Sequence, residues 1–533
     1  MPTNPNDTYT SPLASRNASP EMLRIWSPRH KFNTWRRIWL AVAEAQHEVT
    51  KGWDTPLVSQ EQVDELRAVV ERPPHGITDE ELARASEIER DLRHDVMAHV
   101  HCLGEQCPKA KAIIHLGCTS QDVVCNGDLL ALEEAIELVE LKLARAITSL
   151  ATSARNSKSI PTVAFTHYQP AQPTTVGRRL ASNAYDLLLA GDPFHLAPDC
   201  STLGIATCQM RGFRGATGTQ ASFLQLFGND PELVDLFEAL ALERLRSDSS
   251  GYDAFLRELR ERGTDSEWAQ ERLYFARRGS FDLTGQTYPR VLDSNLLSNL
   301  ASIAAVLHKI ATDIRLLSNR KEIDEPFGSK QIGSSAMPYK RNPMKCERIC
   351  GLTRFVMNLV GNAYDTAATQ WLERTLDDSS NRRLSLPEAF LALDGALDLM
   401  HQVASGLVVH EAMVRKNLMA ELPFLATENI LMEAVKAGGD RQELHEKIRV
   451  HAQAAGMKVK QEGKDNDLIE RLRGDEAFAS VHHLLTEDQL LDPMKYVGRS
   501  VEQTERFLKE VVEPLRDRYG SELESLGASD RGV

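Results

Sequence analysis

The chain has 533 residues, and 62 basic against 76 acidic side chains leave it at −14, a balance that argues against general nucleic-acid binding but not against a small anionic ligand in a local basic pocket. Hydrophobic residues make up 42% and charged residues 26%, as in a globular protein with a large core, which argues against a mostly disordered chain. No run of 18 or more apolar residues occurs, which argues against a membrane span, and a length prior of about 150 residues per domain suggests three or four domains.

The opening MPTNPNDTYTSPLASRNASP has neither the basic and apolar regions of a secretory signal nor an Arg-rich transit pattern. The closing GASDRGV matches no lipidation or peroxisomal signal, so a cytoplasmic protein is expected. Eight cysteines are scattered without a C-x-x-C pair: Cys102, Cys107, Cys118, Cys125, Cys200, Cys208, Cys346 and Cys350. They read as free thiols.

The dominant period is helical. A first apolar seam runs Leu129, Leu132, Ile136, Val139, Leu143, Ile147, Leu150. A second runs Leu296, Leu300, Ile303, Leu307, Ile310, Ile314, Leu317, stepping 4,3,4,3,4,3 over 22 residues, or about 33 Å of helix. A third runs Phe390, Leu393, Leu397, Met400, Ala404, Leu407. Three long seams far apart in sequence predict an all-α fold with a central bundle of long helices. Pro289 and Pro387 precede two of the seams and mark expected helix starts. The expected domains are an N-terminal helical one over 1–119, the central bundle over 120–409 and a charged helical one over 410–533. Residues 228–282 read as a charged, helical surface insertion in the central domain. Three stretches, 159–177, 199–220 and 324–344, read as irregular loops able to carry a site.

Several motifs fail. Gly328 to Ser335 has P-loop spacing, but Ser334 and Ser335 stand where Lys and Ser/Thr are needed. Gly212, Gly215 and Gly218 do not form a dinucleotide fingerprint. His94 and His99 are five apart, about 140° around a helix, which does not suit a shared metal. Neither a metal nor a cofactor is expected.

The most informative stretch is GSSAMPYKRNPMKCER, Gly333 to Arg348. Residues 328–348 hold Lys330, Lys340, Arg341, Lys345 and Arg348 against Glu347 alone, a cationic island in an acidic chain. Two hydroxyls, Ser334 and Ser335, follow a glycine. Such a segment can act as a mobile lid that brings a hydroxyl and a cation over an anionic substrate.

GSSAMPYKRNP resembles the signature loop of the fumarase/aspartase superfamily, and its Pro-Tyr-Lys-Arg-Asn-Pro form looks like the adenylosuccinate lyase family, eukaryotic-type branch. Further segments agree in order: SPLASRNASPEM, RHDVMAHVH, HLGCTSQDV, FTHYQPAQPTTVGRR, GATGTQASFLQLF and ERTLDDSSNRR, covering roughly residues 9–410. The resemblance implies three mostly helical domains, a homotetramer with active sites shared between subunits, and nucleotide substrates, with no nucleic acid or membrane partner. It implies a C–N lyase of purine biosynthesis: fumarate is eliminated from adenylosuccinate to give AMP, and from the succinylaminoimidazole-carboxamide ribonucleotide (SAICAR) to give AICAR. Removing a proton beside a carboxylate builds a dianion that needs preorganised cations and N–H donors. The departing nitrogen needs an acid.

By the same resemblance Ser334 is the general base, with Ser335 as its rival, and His167 the general acid, with His94 the second candidate. Substrate binding is carried over to Arg16, Asn17, Arg93, His94, Asp95, Thr119, Ser120, Gln220, Lys340, Asn342, Arg348, Arg374, Ser379 and Arg383. Arg93, His94 and Asp95 are consecutive, so on a continuous helix they fan over about 200° and reach one ligand only near a helix end or kink. The family usually has Arg-Tyr where this chain has Arg16-Asn17, so an aromatic contact is lost. Alternative readings are another fumarate-releasing lyase of the superfamily (argininosuccinate lyase-like) and a catalytically silent helical scaffold.

Overall fold

Helix starts follow local chemistry. Ser19 accepts from the Met22 N–H at α1 (Pro20–Ile25), and Ser27 from the His30 N–H at α2 (Pro28–Thr50), each with a proline in the first turn. Reciprocal capping boxes, Ser59 with Gln62 and Thr78 with Glu81, open α3 (Gln60–Val70) and α4 (Asp79–Leu92). The computed structural model describes residues 7–74, 76–191, 209–328, 330–486 and 492–526. Cys200, Cys208 and the 199–208 part of one expected loop lie outside the described residues.

Among the described residues the fold is all-α apart from two small sheets and an isolated bridge between Met210 and Ser280. Its long helices are α6 (Ser120–Asn156), α12 (Val291–Asn319), α13 (Met344–Ala368) and α14 (Asp377–Ser405). The chain forms two compact units. Unit 1 comprises Met1–Val139, Ile205–Ala301 and Phe355–Asp394; unit 2 comprises Glu140–Gly204, Ser302–Arg354 and Gly395–Val533. Their dividing points fall inside the four long helices. The expected seams are the buried stripes of α6, α12 and α14, except that the last position, Leu407, lies beyond the end of α14 and is half-buried. Pro289 stands two residues before α12, but Pro387 lies inside α14, which starts ten residues earlier, at Asp377. There Asp377 and Asp378 supply the acidic first turn.

Unit 1 is built on α2, whose buried Trp35, Ile38 and Trp39 face the core. It also holds α5 (Asp95–Gln106), α8 (Ala221–Leu226), α9 (Pro231–Arg246), α10 (Ser249–Arg262) and α11 (Glu267–Arg278). The 228–282 segment is helical, but α9 is no surface element: it packs on α2 with Val234, Phe237, Leu240 and Leu242 buried. Its acids do not force it outward because they are paired. Glu238 accepts the Phe213 N–H at 2.9 Å and faces Arg214 at 3.2 Å, and Glu243 meets Arg272 at 2.7 Å. Phe237 gathers the rings of Phe213, Phe223 and Phe227 at 4.9–5.6 Å.

Unit 2 contains an antiparallel hairpin of β1 (Pro161–Thr166) and β2 (Gln169–Thr175), with a bulge at Val163/Ala164, where a loop was expected. Helix α7 (Val176–Gly191) follows, and α15 (Glu411–Leu425) packs on both strands. A second two-residue ladder joins β3 (Ile323–Asp324) to β4 (Val408–Val409). The later helices α16 (Thr427–Lys436), α17 (Arg441–Glu462) and α18 (Leu468–Arg473) enclose a core of Ile430, Leu444, Leu468, Leu472 and Phe478. Among the described residues no helix is long and apolar enough to cross a membrane.

Candidate functional site

In unit 1 the Arg93-His94-Asp95 run falls at the junction of two helices, the break that a shared ligand requires. Arg93 ends α4 in the left-handed conformation (φ 54°), its N–H returning to the Glu89 carbonyl at 2.7 Å. His94 is extended and caps α5, its Nδ1 accepting from the Met97 N–H at 3.3 Å. That bond leaves the proton of the neutral ring on Nε2, which lies 3.5 Å from the Ser120 hydroxyl. Asp95 opens α5, accepts the Val96 N–H at 2.8 Å and pairs with Arg383 at 3.0 Å. His99, by contrast, is buried and stacked 3.7 Å from Phe32, with Trp35 edge-on at 5.7 Å. Burial first, then Arg36 and Lys31, push its pKa down to about 4.

Thr119 and Ser120 stand at the start of α6, and Asp122 fixes them. One Asp122 oxygen accepts the Thr119 N–H at 2.7 Å. The other accepts the Arg214 and Gly215 N–H groups at 2.9 and 3.1 Å and the Arg211 guanidinium. Arg211 and Asp122 are both fully buried. Asn126 adds a two-way bridge to Gly212, at 3.0 and 3.1 Å. The loop so anchored carries Gln220, which is left-handed (φ 57°) and donates to the Phe213 carbonyl at 3.1 Å. Sequence reading missed Asp122 and Arg211 as site supports. The signal was present, since Thr119-x-x-Asp122 has capping spacing.

Arg374 donates to Gln286 at 3.0 Å, and the Gln121 amide, turned so that both partners are satisfied, accepts from it at 2.9 and 3.2 Å. Ser379 and Arg383 lie on α14 and line a cavity of about 160 Å³. The neighbouring Arg382 is spent on structure: it meets Asp293 at 2.6 Å, Asp128 at 3.0 Å and the Tyr288 hydroxyl. Arg16 is exposed in a short turn at 13–17. Asn17 donates to the Pro12 carbonyl at 2.8 Å, so the residue standing for the family tyrosine braces that turn.

Unit 2 carries the remaining candidates. His167 and Tyr168 are the two turn residues of the hairpin, both with positive φ (54° and 57°), as a type I′ turn requires. Such angles are costly without glycine or asparagine, and the turn presents His167 to solvent. Tyr168 packs on Phe165 at 5.7 Å.

The Gly333–Arg348 segment is a pinched loop leading into α13. At its base the buried Glu325 carboxylate accepts the Lys345 and Cys346 N–H groups, both at 2.9 Å, capping α13. Asn342 donates to the Gly333 carbonyl at 2.9 Å. A Cβ on Gly333 would lie 2.1 Å from the Lys340 carbonyl oxygen, so only glycine allows the strands of the loop to cross there. Ser334 Oγ accepts the Met337 N–H at 3.2 Å. Ser335 is exposed and makes no such bond among the described residues. The Lys340 side chain is exposed and has no carboxylate partner among the described residues, while Arg341 lies over Phe327 at 5.3 Å. Arg348 sits in the second turn of α13, half-buried. Ser334, Lys340 and Asn342 therefore share one loop, and no hydrogen bond joins Ser334 to His167.

An amide N–H on Ser334 Oγ favours the ionised hydroxyl, and Lys340 on the same loop adds an exposed cation to the segment. The arrangement can therefore supply an oxygen base, and the exposed imidazole can supply an acid.

Two family models match the chain: "Lyase" over residues 14–189 and 289–358, and "Adenylosuccinate lyase C-terminus" over 423–507. The adenylosuccinate lyase of Saccharomyces cerevisiae is 44% identical over 506 residues, 95% of each chain. That of Schizosaccharomyces pombe is 45% identical over 507 residues, again 95% of each, and that of Schistosoma mansoni 41% over 514, 96% of this chain and 97% of that one. Among solved structures, the 3-carboxy-cis,cis-muconate lactonizing enzyme from Pseudomonas putida matches with TM-score 0.71 at 24% identity, covering 94% of this chain and 98% of its own. The fumarate lyase from Mesorhizobium sp. BNC1 matches with TM-score 0.69 at 20% identity, covering 94% and 99%. These two are alike in fold.

Proposed function

The chain belongs to the adenylosuccinate lyase family, and from that premise we propose how its residues divide the work of a β-elimination. The reaction is C–N cleavage: adenylosuccinate gives AMP and fumarate, and SAICAR gives AICAR and fumarate. Ser334, as alkoxide, removes the proton on the carbon beside the succinyl carboxylate. Electrons move into that carboxylate, and the C–N bond then breaks. His167 delivers a proton to the departing nitrogen, so one proton is taken and one given. Lys340 offsets the charge on Ser334 and on the dianion, and Asn342 holds the loop crossing.

Anionic groups of the substrate fall to the donors described above: Arg93, the His94–Ser120 pair, Thr119, Gln220, Arg374, Ser379, Arg383 and Arg348, with Asp95 setting the position of Arg383. Arg16 remains available to a phosphate, and Asn17 serves through the turn it braces. The enzyme is a homotetramer with active sites shared between subunits. Supporting this, Trp371, Leu372, Leu376 and Leu384 are 65–95% exposed, an apolar run that a free monomer would leave wet. Its compartment is the cytoplasm, in keeping with six described cysteines that are all free.

The observation that carries the reading is the Met337 N–H on Ser334 Oγ, absent from Ser335. The test is an absorbance assay with adenylosuccinate on wild type, Ser334→Ala, Ser335→Ala and His167→Ala. Ser334→Ala and His167→Ala should each lose about 10²–10⁴-fold in turnover with unchanged circular dichroism, and Ser335→Ala should lose far less. Normal turnover in Ser334→Ala would move the base to another residue.

A further inference from the structure

Lys31 lies in the first turn of α2, where a lysine ordinarily extends into water. Here it does not. Its ammonium sits 4.8 Å from the Trp35 ring centroid and 5.2 Å from that of Phe32. It lines the same cavity as Ser379 and Arg383. Among the described residues no carboxylate comes within ion-pair distance of it: Asp95 is taken by Arg383 at 3.0 Å and Asp128 by Arg382 at 3.0 Å. Burial lowers the Lys31 pKa, and the Arg383 charge lowers it further, against the weaker pull of Asp128 and Asp95. Lys31 and Arg383 repel each other beside a cavity that Arg382 and Asp128 also line, and Asp95 and Asp128, each already paired with an arginine, offset that repulsion only in part. The aromatic faces offset only part of that cost. An anion with several oxygens, entering between them, would relieve it and find a hydroxyl donor in Ser379.

We propose that Lys31 is a further substrate-binding residue, joining Ser379 and Arg383 around an anionic oxygen group of the nucleotide substrate, its phosphate or one of its carboxylates. The inference rests on the reading of Ser379 and Arg383 as substrate ligands. It adds a residue that neither the signature segments nor the capping logic of α2 marks out. Lys31 holds its ammonium over the Phe32 and Trp35 rings, and methionine is the apolar side chain of similar length to replace it.

The test uses the full chain with Lys31→Met and Lys31→Arg. For Lys31→Met the KM for adenylosuccinate should rise about 10–100-fold, the effect of losing one charged hydrogen bond. Its kcat should stay within about threefold and its thermal midpoint should not fall, while Lys31→Arg should recover most of the KM. Inhibition by AMP and by fumarate separates the sources. A weaker AMP constant alone places the phosphate at Lys31, and a weaker fumarate constant alone places a carboxylate there; either supports the proposal. An unchanged KM with both inhibition constants unchanged overturns it, as does a fall in thermal midpoint without a change in KM. If Lys31→Met does not fold, acetic anhydride labelling of wild-type Lys31, read by mass spectrometry with and without AMP or fumarate, decides. Protection of about fivefold or more by either ligand is expected, and equal labelling overturns the proposal. A wild type that fails to release fumarate from adenylosuccinate refutes the proposed function itself. A competent wild type with an indifferent Lys31→Met refutes Lys31 alone.

Discussion

Replacing Asp122 by asparagine removes one charge and one acceptor from the point where α6 meets the 211–215 loop. The carboxylate serves four donors: the Thr119 N–H on one oxygen, and the Arg214 N–H, the Gly215 N–H and the Arg211 guanidinium on the other. An amide has a single acceptor oxygen. Turned toward the loop, it sets its NH₂ against the Thr119 N–H. Turned toward Thr119, it sets that NH₂ against two amides and a guanidinium. In either orientation Arg211 stays charged and wholly buried, left with the carbonyls of Gly215 at 2.8 Å and Gly285 at 3.1 Å. Breaking a buried ion pair from one side costs about 3–5 kcal/mol. Loss of the backbone cap at Thr119 adds about 1 kcal/mol in the first orientation. The expected loss for Asp122→Asn is therefore about 4 kcal/mol. All six tryptophans, Trp26, Trp35, Trp39, Trp53, Trp268 and Trp371, lie in unit 1, so urea unfolding followed by tryptophan fluorescence reports on the unit that is perturbed. The midpoint should fall with little change in slope. A loss below about 1 kcal/mol would mean that Arg211 is not held by this charge, and the account of how Thr119 and Ser120 are positioned would fail with it.

Two further outcomes follow from local geometry. Gly333→Ala places a methyl 2.1 Å from the Lys340 carbonyl oxygen and 3.2 Å from the Arg341 Cα, forcing the loop crossing apart. Turnover should drop at least about tenfold, since displacements near 1 Å are costly to catalysis. The thermal midpoint should hold because the loop is largely exposed, and an unchanged kcat would contradict the pinched loop as the active one. His99 is buried neutral, with its pKa pushed down to about 4, whereas the unfolded chain takes up that proton near 6.5. The unfolded state thus binds more protons between these values, so stability falls as pH drops from about 6.5 toward 4, by roughly 2 kcal/mol at pH 5, and is unaffected above that window. His99→Phe, which keeps the stack on Phe32, should flatten this acid limb in fluorescence-monitored urea titrations from pH 7 to 5. Parallel limbs in variant and wild type would show that His99 is not the group responsible.

The long helices were legible because burial imposes its period on sequence. The Leu296–Leu317 stripe is buried from end to end, and nothing in its local chemistry competes with the seam. Where local chemistry does compete, the reading slips. Pro387 carries a helix-start signature but sits inside α14, where it has no N–H to offer the Arg383 carbonyl. The hairpin at 161–175 hides its alternation behind a bulge and the prolines Pro170 and Pro173. Its turn residues, His167 and Tyr168, are not the Asn-Gly pair that announces a type I′ turn. Segment 228–282 looks like surface because its charges are dense, yet α9 pairs them and is buried. Lys31 is invisible to composition for the reverse reason: a lone lysine in a first turn reads as solvated, and only the folded chain shows that rings and a second cation surround it.

Apart from Arg348, Ser379 and Arg383, which lie within α13 and α14, most candidate residues share a placement that explains why periodicity alone could not find them. Arg93 closes α4, His94 caps α5, Thr119 and Ser120 open α6, Gln220 precedes α8, His167 is in a two-residue turn and Ser334 lies in a loop. At helix starts the first N–H groups lack helical partners, and side-chain caps such as His94 on the Met97 N–H, or a ligand, satisfy them. Arg93, His167 and Gln220 all adopt positive φ, between 54° and 57°, a conformation that side-chain-bearing residues take only when the surroundings enforce it. Helix interiors thus mostly specify the scaffold and the ends carry most of the candidate residues, with Arg348 and Arg383, inside α13 and α14, as exceptions. Relieving that strain without touching a candidate side chain isolates the second effect. Tyr168→Gly relieves the positive φ beside His167 but removes the ring from Phe165 and frees the turn, so the thermal midpoint should change little while turnover falls several-fold. A variant that keeps full turnover would show that the rigidity of this turn is irrelevant to proton delivery.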